Sequence, residues 1–200
     1  MRRCFFIALL AAGSIAAWPI NSHGQDATPA GEVFIGGSKL WEHAAGGHYH
    51  DHGLELAVTG NFNRFLGLEM DLSGLGTSLP PSPAYGDYLR ILVGPHFAYD
   101  ANSRVSPFSH VLVGLTHGRQ DCDSLNPPPD CNTADWERGG NAFTATVGAG
   151  LDVKVFRFFW VRPIQVDYLH VLFPNAAENN LQLSCGFTFR FGSLGRTGKH

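Results

Sequence analysis

Five stretches of this chain alternate apolar and polar residues at period two. In "LELAVTGNF", Leu54, Leu56, Val58 and Phe62 oppose Glu55, Ala57, Thr59 and Asn61. "LGLEMDLSG" sets Leu66, Leu68, Met70 and Leu72 against Gly67, Glu69, Asp71 and Ser73. "LRILVGPHFAY", "FTATVGAGLDV" and "LQLSCGFTFRF" repeat the pattern. Side chains of a strand point alternately to its two faces, so this period predicts strands with one apolar and one polar face. Three less regular strands are read at Glu32–Leu40, Pro107–Thr116 and Phe159–Leu169, the last with a bulge at Pro163. The total is eight, an even number that lets an antiparallel sheet close with both termini on one rim.

The connections sort by length. Short ones fall around Asn63-Arg64, Asp100–Arg104 and Lys154–Arg157; longer ones span Trp41–Gly53, Gly74–Gly86, His117–Gly140 and His170–Asn179. Short turns on one rim and long loops on the other are the layout of an outer-membrane barrel, with periplasmic turns and extracellular loops. The polar face carries many small residues, among them Gly67, Gly94, Gly148, Gly150 and Gly186. Eight strands enclose a lumen just wide enough to be filled by side chains, so small residues belong there. The same face carries Glu55, Glu69, Asp71, Asp152 and Asp167 with Arg90 and Arg190, expected to pair as a luminal polar network. His96 and His110 are expected beside Glu69 or Asp152. The apolar faces of the five regular strands carry no charge. Lipid enforces that absence, because an exposed Lys or Arg at mid-membrane costs about 2–4 kcal/mol. Aromatics gather toward the strand ends: Phe62, Phe65, Tyr99, Phe156, Phe158, Phe159, Trp160, Phe189 and Phe191 at the short-turn rim, and Trp41, Tyr88, Phe143 and Tyr168 at the other. Two such girdles fit headgroup-level rings.

The N-terminus carries Arg2 and Arg3, an apolar run from Cys4 to Ala17, and a polar stretch to Gln25. This is the layout of a secretory signal peptide, residues 1–25, with cleavage expected between 16 and 25. The barrel is assigned to residues 26–191, followed by a tail at 192–200. Export makes a disulfide between Cys122 and Cys131 the expected state of "DCDSLNPPPDC". Of 14 Lys and Arg, two lie in the leader, leaving 12 against 17 Asp and Glu. A mildly acidic exported chain is not expected to bind nucleic acid.

"LQLSCGFTFRF" is similar to the terminal strand of bacterial outer-membrane proteins. With "NRFLGLEMDLSG", "LVGPHFAY", "GAGLDVKV" and "RPIQVDYL" in order, the mature chain resembles small OmpA-like or opacity-type outer-membrane β-barrel proteins. The resemblance implies residence in the bacterial outer membrane, contact with its lipids, and insertion by the barrel-assembly machinery. Phe189 and Phe191 would serve as the assembly signal, although nine residues, "GSLGRTGKH", follow Phe191 where the pattern ends on its aromatic.

No chemistry stands out. The resemblance to barrel lipid A deacylases would require a His-x-Ser pair, and no histidine has serine two positions on. Ser109 and His110 are adjacent and so fall on opposite faces. A filled lumen leaves no wide channel, and no cofactor is expected. Binding is expected at the loops, to an extracellular ligand or surface, with His117–Gly140 and its Trp136 the best-structured candidate. "HAAGGHYHDHG" places His48, His50 and His52 at alternate positions, a spacing that would put three imidazoles on one face of an extended segment and suit zinc, copper or nickel. The reading is a non-enzymatic barrel with a structural or surface-interaction role. The alternatives are a lipid-modifying enzyme and a metal-capturing surface protein.

Overall fold

The computed structural model describes residues 28–44, 47–78, 84–99, 104–122, 140–173 and 176–194. The segment read as a signal peptide, residues 1–25, therefore lies outside the described residues. Eight strands follow in order: β1 Gly31–Ala44, β2 Gly47–Asn61, β3 Leu66–Ser78, β4 Ala84–Ala98, β5 Val105–Cys122, β6 Gly140–Lys154, β7 Phe159–Phe173 and β8 Ala176–Phe191. Each pairs antiparallel with its sequence neighbours, and β1 pairs with β8 from Gly31↔Phe191 to His43↔Asn179, closing the barrel. Closure leaves no strand edge unpaired, the condition that lipid imposes on a spanning sheet.

The barrel is polar inside and apolar outside. Leu54 is 69% exposed on the outer wall, and Met70, Ile91, Val111 and Phe187 are exposed with it. Asp152 is 0% exposed, and Glu55, Glu69, Asp71, Arg90 and Asp167 are buried with it. The period-two pattern produces this inversion directly, since a strand read in the opposite register would put each carboxylate in lipid. The protein is a transmembrane β-barrel.

β7 contains the one departure from strict alternation that matters for the interior. Arg162 pairs with Gly186 and Gln165 with Ser184, so two residues of β7 oppose the single Cys185 of β8. This β-bulge sits at Pro163, which has no N–H to give to a ladder. Pro163 and Ile164 both face outward, while Arg162 and Gln165 both face the lumen.

Two aromatics expected in the girdles are luminal instead. Trp160 is 2% exposed. Tyr88 packs inside against the apolar cluster of Leu40, Leu75 and Leu169. Both sit at inward register positions, and ring chemistry alone does not reveal the face. Exposed rings remain at the short-turn rim: Phe62, Phe65, Tyr99, Phe156 and Phe158.

The turns at 62–65 and 155–158 are short and closed by backbone bonds, Phe62 N to Leu66 O at 2.9 Å and Phe156 N to Phe159 O at 2.9 Å. On the opposite rim much of the length read as loop is paired strand. β1 and β2 continue to Ala44↔Gly47, β7 and β8 to Phe173↔Ala176. A spanning strand needs about 9–11 residues. The strands here have 13 to 18, and the surplus forms hairpins beyond the lipid.

Candidate functional site

The lumen is the place where this sequence concentrates its polar chemistry. At the short-turn end, Arg190 donates from Nε to Glu32 Oε2 at 2.9 Å and from Nη2 to Asp152 Oδ2 at 3.0 Å. Its guanidinium lies 3.8 Å from the Trp160 ring centroid. Asn61 donates to the other Glu32 oxygen at 2.8 Å. Arg162 donates Nε to Asp152 Oδ1 at 2.8 Å, Nη2 to Oδ2 at 3.2 Å, and Nη1 to Gln165 Oε1 at 2.7 Å. It is held between the rings of Phe34, at 4.3 Å, and Phe108, at 4.0 Å. Two arginines thus share Asp152. Bidentate, ring-stacked pairing is the form in which a buried guanidinium is best compensated.

At mid-height, Gln165 donates to Glu55 Oε1 at 2.9 Å and to Asp167 Oδ2 at 2.8 Å. Glu55 also accepts from Gln182 at 2.8 Å and Ser184 at 2.5 Å. Arg90 donates to Gln182, linking it to the same group, and Asp71 accepts from Ser73 at 2.5 Å. Across the lumen, Glu69 lies between two histidines: His96 Nδ1 is 2.5 Å from Oε2 and His110 Nδ1 is 2.9 Å from Oε1. His110 Nε2 is 2.8 Å from Asp167 Oδ1. The hydrogen bonds run without a break from Glu32 through Arg190, Asp152, Arg162 and Gln165 to Glu55 and, by way of Asp167, to His110.

Gly148 makes the mid-height arrangement possible. A Cβ there would lie 1.8 Å from Asp167 Oδ1 and 2.4 Å from His110 Nε2. At Gly150 it would lie 2.5 Å from Cζ of Phe108, whose ring covers Arg162. Gly148 and Gly150 are space into which long luminal side chains fold, whereas at Gly94 and Gly186 an added Cβ would meet the backbone of the neighbouring strand.

All seven residues read from the sequence as the luminal network, Glu55, Glu69, Asp71, Arg90, Asp152, Asp167 and Arg190, are buried in this lumen. Glu32, Arg162, Gln165 and Gln182 belong with them and were not read as such. Counting back from Asp167 at period two reaches 165, 163 and 161, which assigns Arg162 to lipid; the bulge reverses it. Glu32 opens an irregular strand whose parity was not resolved.

The remaining sequence-derived residues lie elsewhere. His48, His50 and His52 occupy alternate positions of β2, opposite His43, Trp41 and Lys39 of β1. They belong to a paired hairpin, not an open loop, and His52 is exposed. Cys122 ends β5; its side chain and the whole of Cys131 lie outside the described residues, as does Trp136. Phe189 is exposed on the outer wall, its ring edge-on to Phe159 at 5.4 Å. Phe191 pairs with Gly31 at the closing seam.

What space remains is small. One cavity of about 10 Å³ lies at the hairpin end, lined by Leu40, Tyr88, Arg90 and Glu178 among others. A second of about 10 Å³ lies deeper, against Glu55, Asp71, His110 and Asp167. Each holds about one water. Ser109 faces away from the lumen while His110 faces into it.

No protein-family model matches the sequence. No curated protein matches it as a relative. The fold has solved counterparts. Neisserial surface protein A aligns with a TM-score of 0.63 at 14% identity, covering 81% of this chain and 97% of that one. Ail, the attachment invasion locus protein of Yersinia pestis, in complex with the heparin analogue sucrose octasulfate, aligns at 0.54 with 20% identity, 80% and 97%. The outer membrane protein OprG from Pseudomonas aeruginosa aligns at 0.54 with 15% identity, 84% and 99%. The chain has the eight-stranded fold of small outer-membrane barrels.

Proposed function

We propose that the protein is a non-enzymatic integral outer-membrane barrel whose role is exercised at its extracellular hairpins, as a surface-interaction or envelope-structural protein. The observation that carries this reading is the filled lumen. A barrel whose interior is occupied by interlocked side chains offers a water-borne partner only its two rims. The rim with short turns has little chain to offer, whereas at the other rim the paired strands β1–β2, β3–β4, β5–β6 and β7–β8 run to their connections. The names of two structural counterparts, a surface protein and an attachment invasion protein crystallised with a heparin analogue, agree with work done at such a surface. Catalysis has less support. His96 and His110 are each 1% exposed and engaged by Glu69, so no lipid reaches them without opening the barrel. Phe189 and Phe191, at the end of the closing strand, would be the residues the barrel-assembly machinery reads.

The test compares cells displaying the full barrel with cells in which residues 43–48 and 123–139 are replaced by short Gly-Ser turns. Heat-dependent gel mobility verifies folding, and binding is read on immobilised glycans and extracellular-matrix proteins. Binding by the full barrel that disappears on trimming supports the reading. Binding that survives when residues 79–83 and 174–175 are trimmed as well overturns it.

A further inference from the structure

We propose that Glu69, His96 and His110 form a transition-metal site inside the lumen, with zinc the best-matched ion and Asp167 the group that orients it. The residues come from the consecutive strands β3, β4 and β5. One donor atom from each lies within 4.8 Å of the others, and each residue is 1% exposed. Two imidazoles and one carboxylate converging from one side are a facial ligand set with remaining positions open to water.

The placement of the ring nitrogens favours a cation between these groups, since His110 Nδ1 is buried without a hydrogen-bond partner. His110 presents both ring nitrogens to carboxylates, Nε2 to Asp167 at 2.8 Å and Nδ1 to Glu69 at 2.9 Å. A neutral imidazole that donates Nε2–H to Asp167 has a bare lone pair at Nδ1, facing a carboxylate oxygen. Lone pairs that close repel unless a proton or a metal ion lies between them. A carboxylate on the far nitrogen of a metal-bound histidine is the usual means by which proteins fix its tautomer and orientation. His96 commits its Nδ1 to the same carboxylate, and its ring is fixed by stacking on Phe108, centroids 5.0 Å apart and planes 18° apart. The surrounding charge agrees. Among the described residues, the lumen buries seven carboxylates against three guanidinium groups. A divalent cation offsets part of that excess, which burial otherwise makes costly.

The site differs from the His-rich hairpin in enclosure. Leu40, Leu75, Leu169 and Tyr88 close the lumen toward the hairpin end, so an ion seated as the barrel folds would exchange slowly. An ion on exposed imidazoles would be stripped at once.

The full chain, purified from outer membranes in detergent, is compared with a variant carrying His43→Asn, His48→Asn, His50→Asn and His52→Asn, which silences the hairpin. Zinc content and affinity are measured against a competing chelator. The expected result is one Zn²⁺ per barrel in the hairpin variant, released slowly to chelator. On that background His110→Gln and Glu69→Gln should lose at least about 100-fold in affinity, and Asp167→Asn about 10–100-fold. X-ray absorption of the zinc-loaded hairpin variant needs no luminal substitution, so it stands even where a luminal variant fails to fold. Two imidazoles in the zinc shell support the proposal. Absence of zinc from the hairpin variant, full affinity in the luminal variants, or an oxygen-only shell overturns it and leaves Glu69, His96 and His110 as part of the luminal polar network.

Discussion

Asp152 is the residue on which the short-turn half of the lumen depends most. Its two oxygens receive Arg162 and Arg190 from different strands, and nothing of it is exposed. Asp152→Asn leaves two buried guanidinium groups short of their counter-charge. Breaking a buried pair by removing one partner costs about 3–5 kcal/mol. The expected outcome is a lowered urea midpoint for the barrel folded in lipid vesicles, with unchanged topology. Gly148→Ala acts by volume. Its methyl would occupy the space of the Asp167–His110 contact, and that pair must separate. A loss of about 3–5 kcal/mol is expected by the same mechanism. Gly60→Ala, with nothing within 4 Å of its added carbon, is the matched control and should leave the midpoint nearly unchanged.

At the scale of the strand, parity decides everything, and parity is what the sequence displays best. The stretches around Leu56, Met70, Ile91, Val147 and Phe187 have their faces assigned correctly because one side faces lipid and the other a narrow polar lumen, with no intermediate environment to blur the alternation. β7 is legible only as far as its proline. Pro163 announces an irregularity, but not which residues on either side of it turn inward, so Arg162 is lost from the sequence reading while Asp167 is kept. The ends of strands are legible least. Trp160 and Tyr88 have girdle chemistry but inward register, and the hairpins beyond the lipid have no lipid-facing pattern to mark them as paired. Deleting Ile164 tests the bulge. Without the extra residue, either Arg162 or the Gln165–Asp167 segment must turn toward lipid. The expected outcome is loss of the heat-modifiable, folded gel species, while an Ile164→Val variant folds normally.

The whole molecule is a wall with a solid interior. Purified barrel in planar bilayers should give no porin-sized conductance steps, because among the described residues the lumen is filled by side chains and the cavities against Arg90 and His110 hold about one water each. Steps of porin size in single-channel recordings would mean that the polar network opens as a unit. The candidate sites were legible unevenly for the same physical reason. Charges forced into a lumen advertise themselves as breaks in an apolar alternation, so Glu55, Glu69, Asp71, Asp152, Asp167, Arg90 and Arg190 are found from the sequence. That His96 and His110 lie beside Glu69 and not Asp152, with Asp167 at the far nitrogen of His110, depends on the stagger between four strands, which no local pattern encodes.

The seam between β1 and β8 sets an order of events. The first strand made must wait for the last, since Gly31 finds Phe191 across nearly the whole chain. Until then, seven strands would hold two open edges and a sheet with an oily outer side. Such an intermediate is a hazard in water and has no stable home in any membrane. Pairing of the C-terminal strand with the first is therefore the step that commits the chain, and anything that held that strand back would govern when a barrel comes into being.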